Sequence, residues 1–320
     1  MELRELKIGN LTVPIPIIQG AMAVRISTAP LAAAVANQGG VGLIAGTGMS
    51  LDELRNEIRK ARELTTGIIG VNVLFAVTEF AGLVKTALAE GVDLIVSGAG
   101  FSRDMFAWGR EYETPIVPIV SSAKLGKLAE KLGAAAVVVE GKEAGGHLGT
   151  DRPMRSILPE VRQAVQIPVI GAGGIIDGID IAEVLALGAD GVQMGTRFAA
   201  SEESNASDEF KALYVQASHD DVVLINSPVG LQGRGLNNSF YQLVDGDKRV
   251  EIVRCINCLK RCSHKFCIMN ALENATKDGD YSKALVFSGE QVEKIKEILP
   301  VKKIFENLLE AVLAYPVATI

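Results

Sequence analysis

The sequence predicts an α/β chain whose main part is a (β/α)8 TIM barrel, followed by a C-terminal extension that carries a four-cysteine cluster. Three observations predict it. Short apolar runs alternate with amphipathic or Ala-rich segments from residue 14 to about residue 200. Eight such runs can be counted, at 15–19, 41–45, 68–73, 93–97, 116–120, 135–140, 168–170 and 191–194. Most are continuous and not alternating, which is how strands buried on both faces read. Strand-then-helix alternation with short connections implies a parallel sheet with right-handed crossovers, and eight such units close a barrel.

The intervening helices carry their own punctuation. Segment 28–38 opens on Thr28 and stops at Gly39-Gly40, and 51–64 follows Ser50. Segment 78–89 ends before Gly91, a segment capped by Ser121 or Ser122 runs to Leu132 before Gly133, and 179–187 lies between Asp177 and Gly188. Side-chain oxygens at helix starts and glycines at helix stops satisfy the terminal backbone groups. After residue 200 the alternation ends. A polar turn and helix (201–218), a strand with a Gly-rich loop (222–240), the cysteine segment (250–270) and a helical tail (289–313) follow. The predicted division is a barrel over 1–240, with a lid or insert at about 201–240, and an extension over 241–320.

Composition narrows the function. The chain has 320 residues, 48% hydrophobic, with 33 glycines and only 11 prolines, so fibrous and disordered classes are excluded. A formal charge of −6 argues against nucleic acid as a partner. No apolar run approaches the ~20 residues of a membrane span, and the start Met1-Glu2-Leu3-Arg4-Glu5 has no signal-peptide pattern. The expectation is a cytoplasmic protein. The four G-x-G pairs Gly46/Gly48, Gly98/Gly100, Gly171/Gly173 and Gly233/Gly235 have neither Gly nor Ala three residues on, and no Gly-Lys is followed by Ser or Thr. Those four pairs therefore lack the dinucleotide fingerprint, and the P-loop fingerprint is absent.

The candidate site lies at strand ends. Gly171-Ala172-Gly173-Gly174 and Gly191-Val192-Gln193-Met194-Gly195-Thr196 follow the seventh and eighth strands. Those loops are neighbours at the top of a barrel, where bare backbone N–H groups can cradle a phosphate. Tight strand–helix packing is the alternative for either loop alone. After the sixth strand comes Glu140-Gly141-Lys142-Glu143-Ala144-Gly145-Gly146-His147. His147 is one of three histidines, and a His between mobile glycines and a ligand is a candidate general acid or base. His219 reads as a surface residue, and Phe106 and Trp108 as packing residues.

In this order, Ile17-Ile18-Gln19-Gly20-Ala21-Met22, Gly39-Gly40-Val41-Gly42, Gly70-Val71-Asn72-Val73, the E-A-G-G-H-x-G stretch ending at Gly149 and the two phosphate loops resemble the nitronate monooxygenase (2-nitropropane dioxygenase) family, which includes the FMN-dependent enoyl-ACP reductases. The resemblance covers roughly residues 10–240. It implies an FMN-containing barrel with Gly20, Ala21 and Met22 along the flavin ring. Asn72 would reach the ring's polar edge, and Gly145 and Gly146 would admit it closely. Gly173, Gly174, Gly195 and Thr196 would hold the phosphate, and His147 would be catalytic. Ser227-Pro228-Val229-Gly230 with Arg234 and Asn237 resembles, more loosely, the family's pocket-closing loop. The IMP dehydrogenases share the last two strand signatures but need a cysteine in the sixth loop, which this chain lacks.

Two chemistries fit this resemblance: oxidation of an alkyl nitronate with O2, and NAD(P)H-dependent reduction of an enoyl thioester carried by acyl-carrier protein or CoA. A non-catalytic flavin-binding or redox-sensing protein is the reading from another class. A homodimer is the expected assembly. All four cysteines, Cys255, Cys258, Cys262 and Cys267, fall within 13 residues, in a stretch from Ile252 to Leu272 without an acidic side chain. The pattern predicts a [4Fe–4S] cluster or Zn2+, with free or redox-switch thiols as the alternative. The first three cysteines resemble the iron–sulfur segment of the flavin enoate reductases.

Overall fold

The computed structural model describes residues 3–246, 248–276 and 281–316, with the side chain of Tyr281 excepted. Met1 and Glu2, and part of the predicted extension, lie outside the described residues. A hairpin of β1 (Leu6–Ile8) and β2 (Leu11–Val13) leads into eight parallel strands. These are β3 (Ile17–Gln19), β4 (Gly42–Ala45), β5 (Ile69–Leu74), β6 (Leu94–Gly98), β7 (Ile116–Val120), β8 (Val137–Glu140), β10 (Val169–Ala172) and β11 (Gly191–Met194). The two-residue β9 (Gly146–His147) interrupts them in chain order. The pairing runs β3-β11-β10-β8-β7-β6-β5-β4. It is nearly closed by a parallel bridge between Ile18 and Val41, with Gln19 N donating to Val41 O at 2.9 Å.

Side-chain alternation divides these strands between two cores. Ile18, Leu43, Leu94, Val96, Val117, Val138 and Ile170 point inward and fill the barrel. Their neighbours Val71, Val73, Val137, Val139 and Val192 point outward against the helices. Seven helices follow seven strands: α1 (Ala29–Asn37), α2 (Leu51–Leu64), α3 (Phe80–Ala89), α4 (Arg103–Glu111), α5 (Ala123–Leu132), α6 (Met154–Ala164) and α7 (Gly178–Ala186). Ser50 and Asp177 form capping boxes, as their positions predict. Helices α4 and α6 have no counterpart in the sequence reading. In α6 the signal is masked by Pro159 inside the helix, a residue that ordinarily breaks one.

After β11 the chain makes the single turn α8 (Thr196–Ala199) and then leaves the barrel. It forms α9 (Asp208–Gln216), the hairpin β12 (Val222–Asn226) and β13 (Gln232–Leu236), α10 (Ser239–Val244), the cysteine segment and α11 (Ile268–Glu273). It returns as α12 (Val301–Ala314), which packs against α7 and α1. The part predicted as a C-terminal extension thus supplies the eighth helix of the barrel. The fit is close: a Cβ on Gly178 would stand 2.3 Å from Leu308 O, and one on Gly40 would stand 3.0 Å from the Phe305 ring. Among the described residues, no helix is long and apolar enough to cross a membrane.

Candidate active site

Following the inward alternation to the C-terminal end of each strand generates a ring. Gly20, Ala45, Asn72 and Gly98 come from the first four strands, and Ile119, Glu140, Ala172 and Gln193 from the rest. All eight line one cavity at the top of the barrel. Five of these floor residues are small or apolar; Asn72, Glu140 and Gln193 are polar. The Oε1 of Gln193 is buried without a protein partner.

The loops above the floor are fixed by residues that the sequence reading did not single out. Buried Gln19 donates through Nε2 to Gly20 O (2.6 Å) and Ser27 Oγ (3.0 Å), while its Oε1 accepts from Leu43 N. Ser27 Oγ in turn accepts from Met22 N at 2.9 Å. These bonds hold the Gly20-Ala21-Met22 loop along one wall. A polar residue inside an apolar strand was the available signal for Gln19, since it must find internal partners.

The two glycine loops line the same cavity. Gly173 has φ +103° and Gly174 has φ +66°, a region that glycine occupies without steric cost. A Cβ on Gly173 would lie 3.0 Å from Ala144 N, so the sixth and seventh loops touch there. Gly195 precedes α8, and Thr196 Oγ1 accepts from Gly289 N at 2.9 Å. Gly145 is packed against the backbone of Ser288 and Gly289.

His147 sits on β9, which pairs with β13 (Gly233 opposite His147), so the post-barrel hairpin holds the catalytic candidate in place. Its Nε2 shares a 2.8 Å hydrogen bond with Ser227 Oγ, and its ring meets Phe287 edge-on, with centroids 5.2 Å apart. Burial lowers its pKa to about 4, so the imidazole is neutral at physiological pH. Arg234 Nε donates to Lys142 O at 3.0 Å and braces the same loop. Of the looser loop match, Ser227 reaches His147 and Val229 lines the cavity, whereas Asn237 is exposed on the surface and outside it. His219 is exposed, as predicted, and Phe106 is core.

The cysteine segment differs from its prediction. It crosses the mouth of the barrel as a lid. Leu259 bridges Val77, Thr78 N donates to Cys258 O, and Lys260 N donates to Ala76 O. Leu259, Ile268, Met269 and Leu272 face into the cavity. All four cysteines are free, and among the described residues no three His, Cys, Asp or Glu side chains gather to hold a metal ion. This arrangement supports neither a [4Fe–4S] cluster nor Zn2+ at Cys255, Cys258, Cys262 and Cys267. The cysteines have different settings: Cys255 is exposed with its Sγ donating to Asn257 Oδ1, Cys258 is tied by its carbonyl to the β5–α3 loop, and Cys267 is the N-cap of α11.

The nitronate monooxygenase family model matches residues 4–81 and 75–311. The chain belongs to the nitronate monooxygenase family. It is 34% identical over 239 residues to a (3aS,4S,5R,7aS)-5-hydroxy-7a-methyl-1-oxo-octahydro-1H-indene-4-carboxyl-CoA dehydrogenase of Mycobacterium tuberculosis, covering 73% of this chain and 66% of that protein. It is 31% identical over 277 residues to a "probable nitronate monooxygenase" of Staphylococcus aureus, covering 72% and 78%. FabK from Thermotoga maritima is a structural neighbour with TM-score 0.84 and 35% identity, covering 93% of this chain and 92% of that one. These relatives make the chain an oxidoreductase by family, and the family is FMN-dependent. The site suits that cofactor. It offers glycine loops that a Cβ would fill, a floor with an unpartnered buried amide oxygen, and apolar side chains of Leu259, Ile268, Met269 and Leu272 along the cavity.

Proposed function

We propose that this protein is an FMN-dependent oxidoreductase of the nitronate monooxygenase type, oxidising alkyl nitronates with O2. The observation that carries the reading is convergence. Asn72 on β5, His147 on β9 and the glycine loops after β10 and β11 open onto one cavity. In this reading Gly173, Gly174, Gly195 and Thr196 hold the FMN phosphate, Gly20, Ala21 and Met22 flank the ring, and Asn72 meets its polar edge. Gly145 and Gly146 leave room for close approach. FMN supplies the electron-accepting chemistry, and the protein supplies position and electrostatics.

His147 is the residue that handles a proton. Its neutral ring has one unprotonated nitrogen, able to take the proton of a neutral nitroalkane, and one N–H, able to donate a hydrogen bond to the anion. The bond to Ser227 Oγ fixes the ring plane, and Phe287 keeps water from one edge.

A specific observation favours a second reading, NAD(P)H-dependent reduction of an enoyl thioester. One relative is named for a carboxyl-CoA substrate. The lid over the apolar cavity also carries Arg254, Lys260 and Arg261 on its exposed side, a surface suited to the phosphates of CoA or to an acidic acyl-carrier protein. Anaerobic stopped-flow separates the two. Reduction of the bound flavin by a nitronate and not by NADH or NADPH supports the monooxygenase. Reduction by pyridine nucleotide, followed by rapid reoxidation by an enoyl thioester before oxygen is admitted, overturns it in favour of the reductase. Failure of every one of these reactants to change the flavin would leave a binding or sensing protein.

A further inference from the structure

The floor of the cavity contains a group that the proposed chemistry has not used. Seven of the eight ring positions are held by side chains that do not titrate; Glu140, the last residue of β8, is the exception. Its direction is set by the strand. Val138 fills the barrel interior two residues earlier, so Glu140 must face inward and upward, into the space where the ring of the cofactor is expected. The flanking strands offer it no charge. β7 presents Ile119, and β10 presents Ala172, the register partner of Glu140. The other polar floor residues, Asn72 and Gln193, are neutral. The remaining titratable groups on the cavity are Glu143, whose Oε2 accepts from Met154 N, His147, and Tyr214, whose hydroxyl donates to Phe287 O. No cation among the cavity-lining residues stands ready to pair with a carboxylate on the floor.

We infer that Glu140 is a proton-exchanging residue of this site, binding one proton from solvent as each pair of electrons enters the bound flavin in alkaline solution and releasing it on reoxidation. The inference rests on the FMN reading above. The balance is simple. A pair of electrons and one proton convert the flavin to its reduced anion; one further proton forms an O–H bond on the Glu140 carboxylate. The electrons come from the nitronate or NAD(P)H that the enzyme oxidises. The driving force is electrostatic: a carboxylate and a reduced anionic ring cannot share a floor without a cation at low cost. Desolvation already raises the carboxyl to about 8, so the exchange is visible above that pH and silent well below it.

The test is the midpoint potential of bound FMN, followed from pH 6 to pH 10 in the holoenzyme and in Glu140→Gln. Between pH 8 and 10 the wild type should bind close to one more proton per two electrons than the variant. Below pH 7 the two slopes should coincide. Parallel slopes across the whole range would overturn the inference. If Glu140→Gln does not retain FMN, Glu140→Asp is measured instead, and it should keep the additional proton. The absorbance of the purified protein keeps the two ideas apart. Absence of FMN from the wild type refutes the function reading, whereas bound, substrate-reducible FMN with unchanged proton number refutes only the role of Glu140.

Discussion

The barrel and the lid share one cavity but are built on different principles. Each barrel strand places its residues by alternation, so Asn72, Glu140 and Gln193 reach the floor because their strand neighbours Val71, Val139 and Val192 face outward. The lid has no such period. Cys258, Leu259 and Lys260 are located by three contacts to the loop after β5, residues more than 170 positions away. Positions set by a repeating local geometry tolerate change elsewhere in the chain. Positions set by a few distant hydrogen bonds do not.

This contrast can be broken or sharpened in order of effect. His147→Ala should lower turnover by about 10²–10⁴-fold, the usual reach of a general acid–base group, while the purified protein stays yellow; unchanged turnover would remove His147 from the chemistry. Phe305→Ala tests the barrel's closing helix. The ring is buried and lies 5.9 Å from that of Phe198, so the loss should be about 3–5 kcal/mol, read as a lowered urea midpoint. Gly173→Ala combines a positive φ with contact to Ala144. Strain of about 1–3 kcal/mol should weaken FMN binding roughly tenfold or more, measured by flavin fluorescence titration.

Three smaller effects follow. The folded-state pKa of Glu140 lies above its ordinary value. Its contribution to stability is therefore full below about pH 4.5 and declines as pH rises towards 8. The melting temperature of Glu140→Gln should accordingly gain on the wild type between pH 5 and pH 8; a constant difference would contradict that environment. His147 works in the opposite sense: its lowered pKa makes stability fall as pH drops from about 6.5 to about 4. Lys260→Ala removes a 2.6 Å bond to Phe75 O and a cation 3.8 Å above the Phe75 ring. The effect on global stability should stay under about 1 kcal/mol, yet limited proteolysis should cut the lid sooner, because this bond helps to anchor it.

The sequence was informative where chemistry and period coincide. The eight strands, the glycine loops and His147 all fall where alternation and turn residues put them. Glu140 escaped notice because a lone acid closing the run Val137-Val138-Val139 reads as the end of a buried strand; its parity was available, but its isolation is a three-dimensional fact. Ser227 belonged to a looser match, and only the pairing of β9 with β13 brings it to His147. The cysteines show the converse. Closeness along the chain did not by itself produce, among the described residues, a group that could hold a metal ion, and hydrogen bonds to residues 76–78 tie the segment to the loop after β5.

The return of the chain through α12 sets an order of events during synthesis. A ribosome releases all eight strands, then the whole lid, before it makes the helix that covers the outer face between α7 and α1. Until Val301–Ala314 emerges, the nascent barrel is an unsealed vessel with its cover already attached, and the apolar seam at Gly40 and Gly178 remains open to water. Truncating the protein after residue 240 would therefore trap it in that unfinished state, with an aggregation-prone flank in place of a minimal catalytic core.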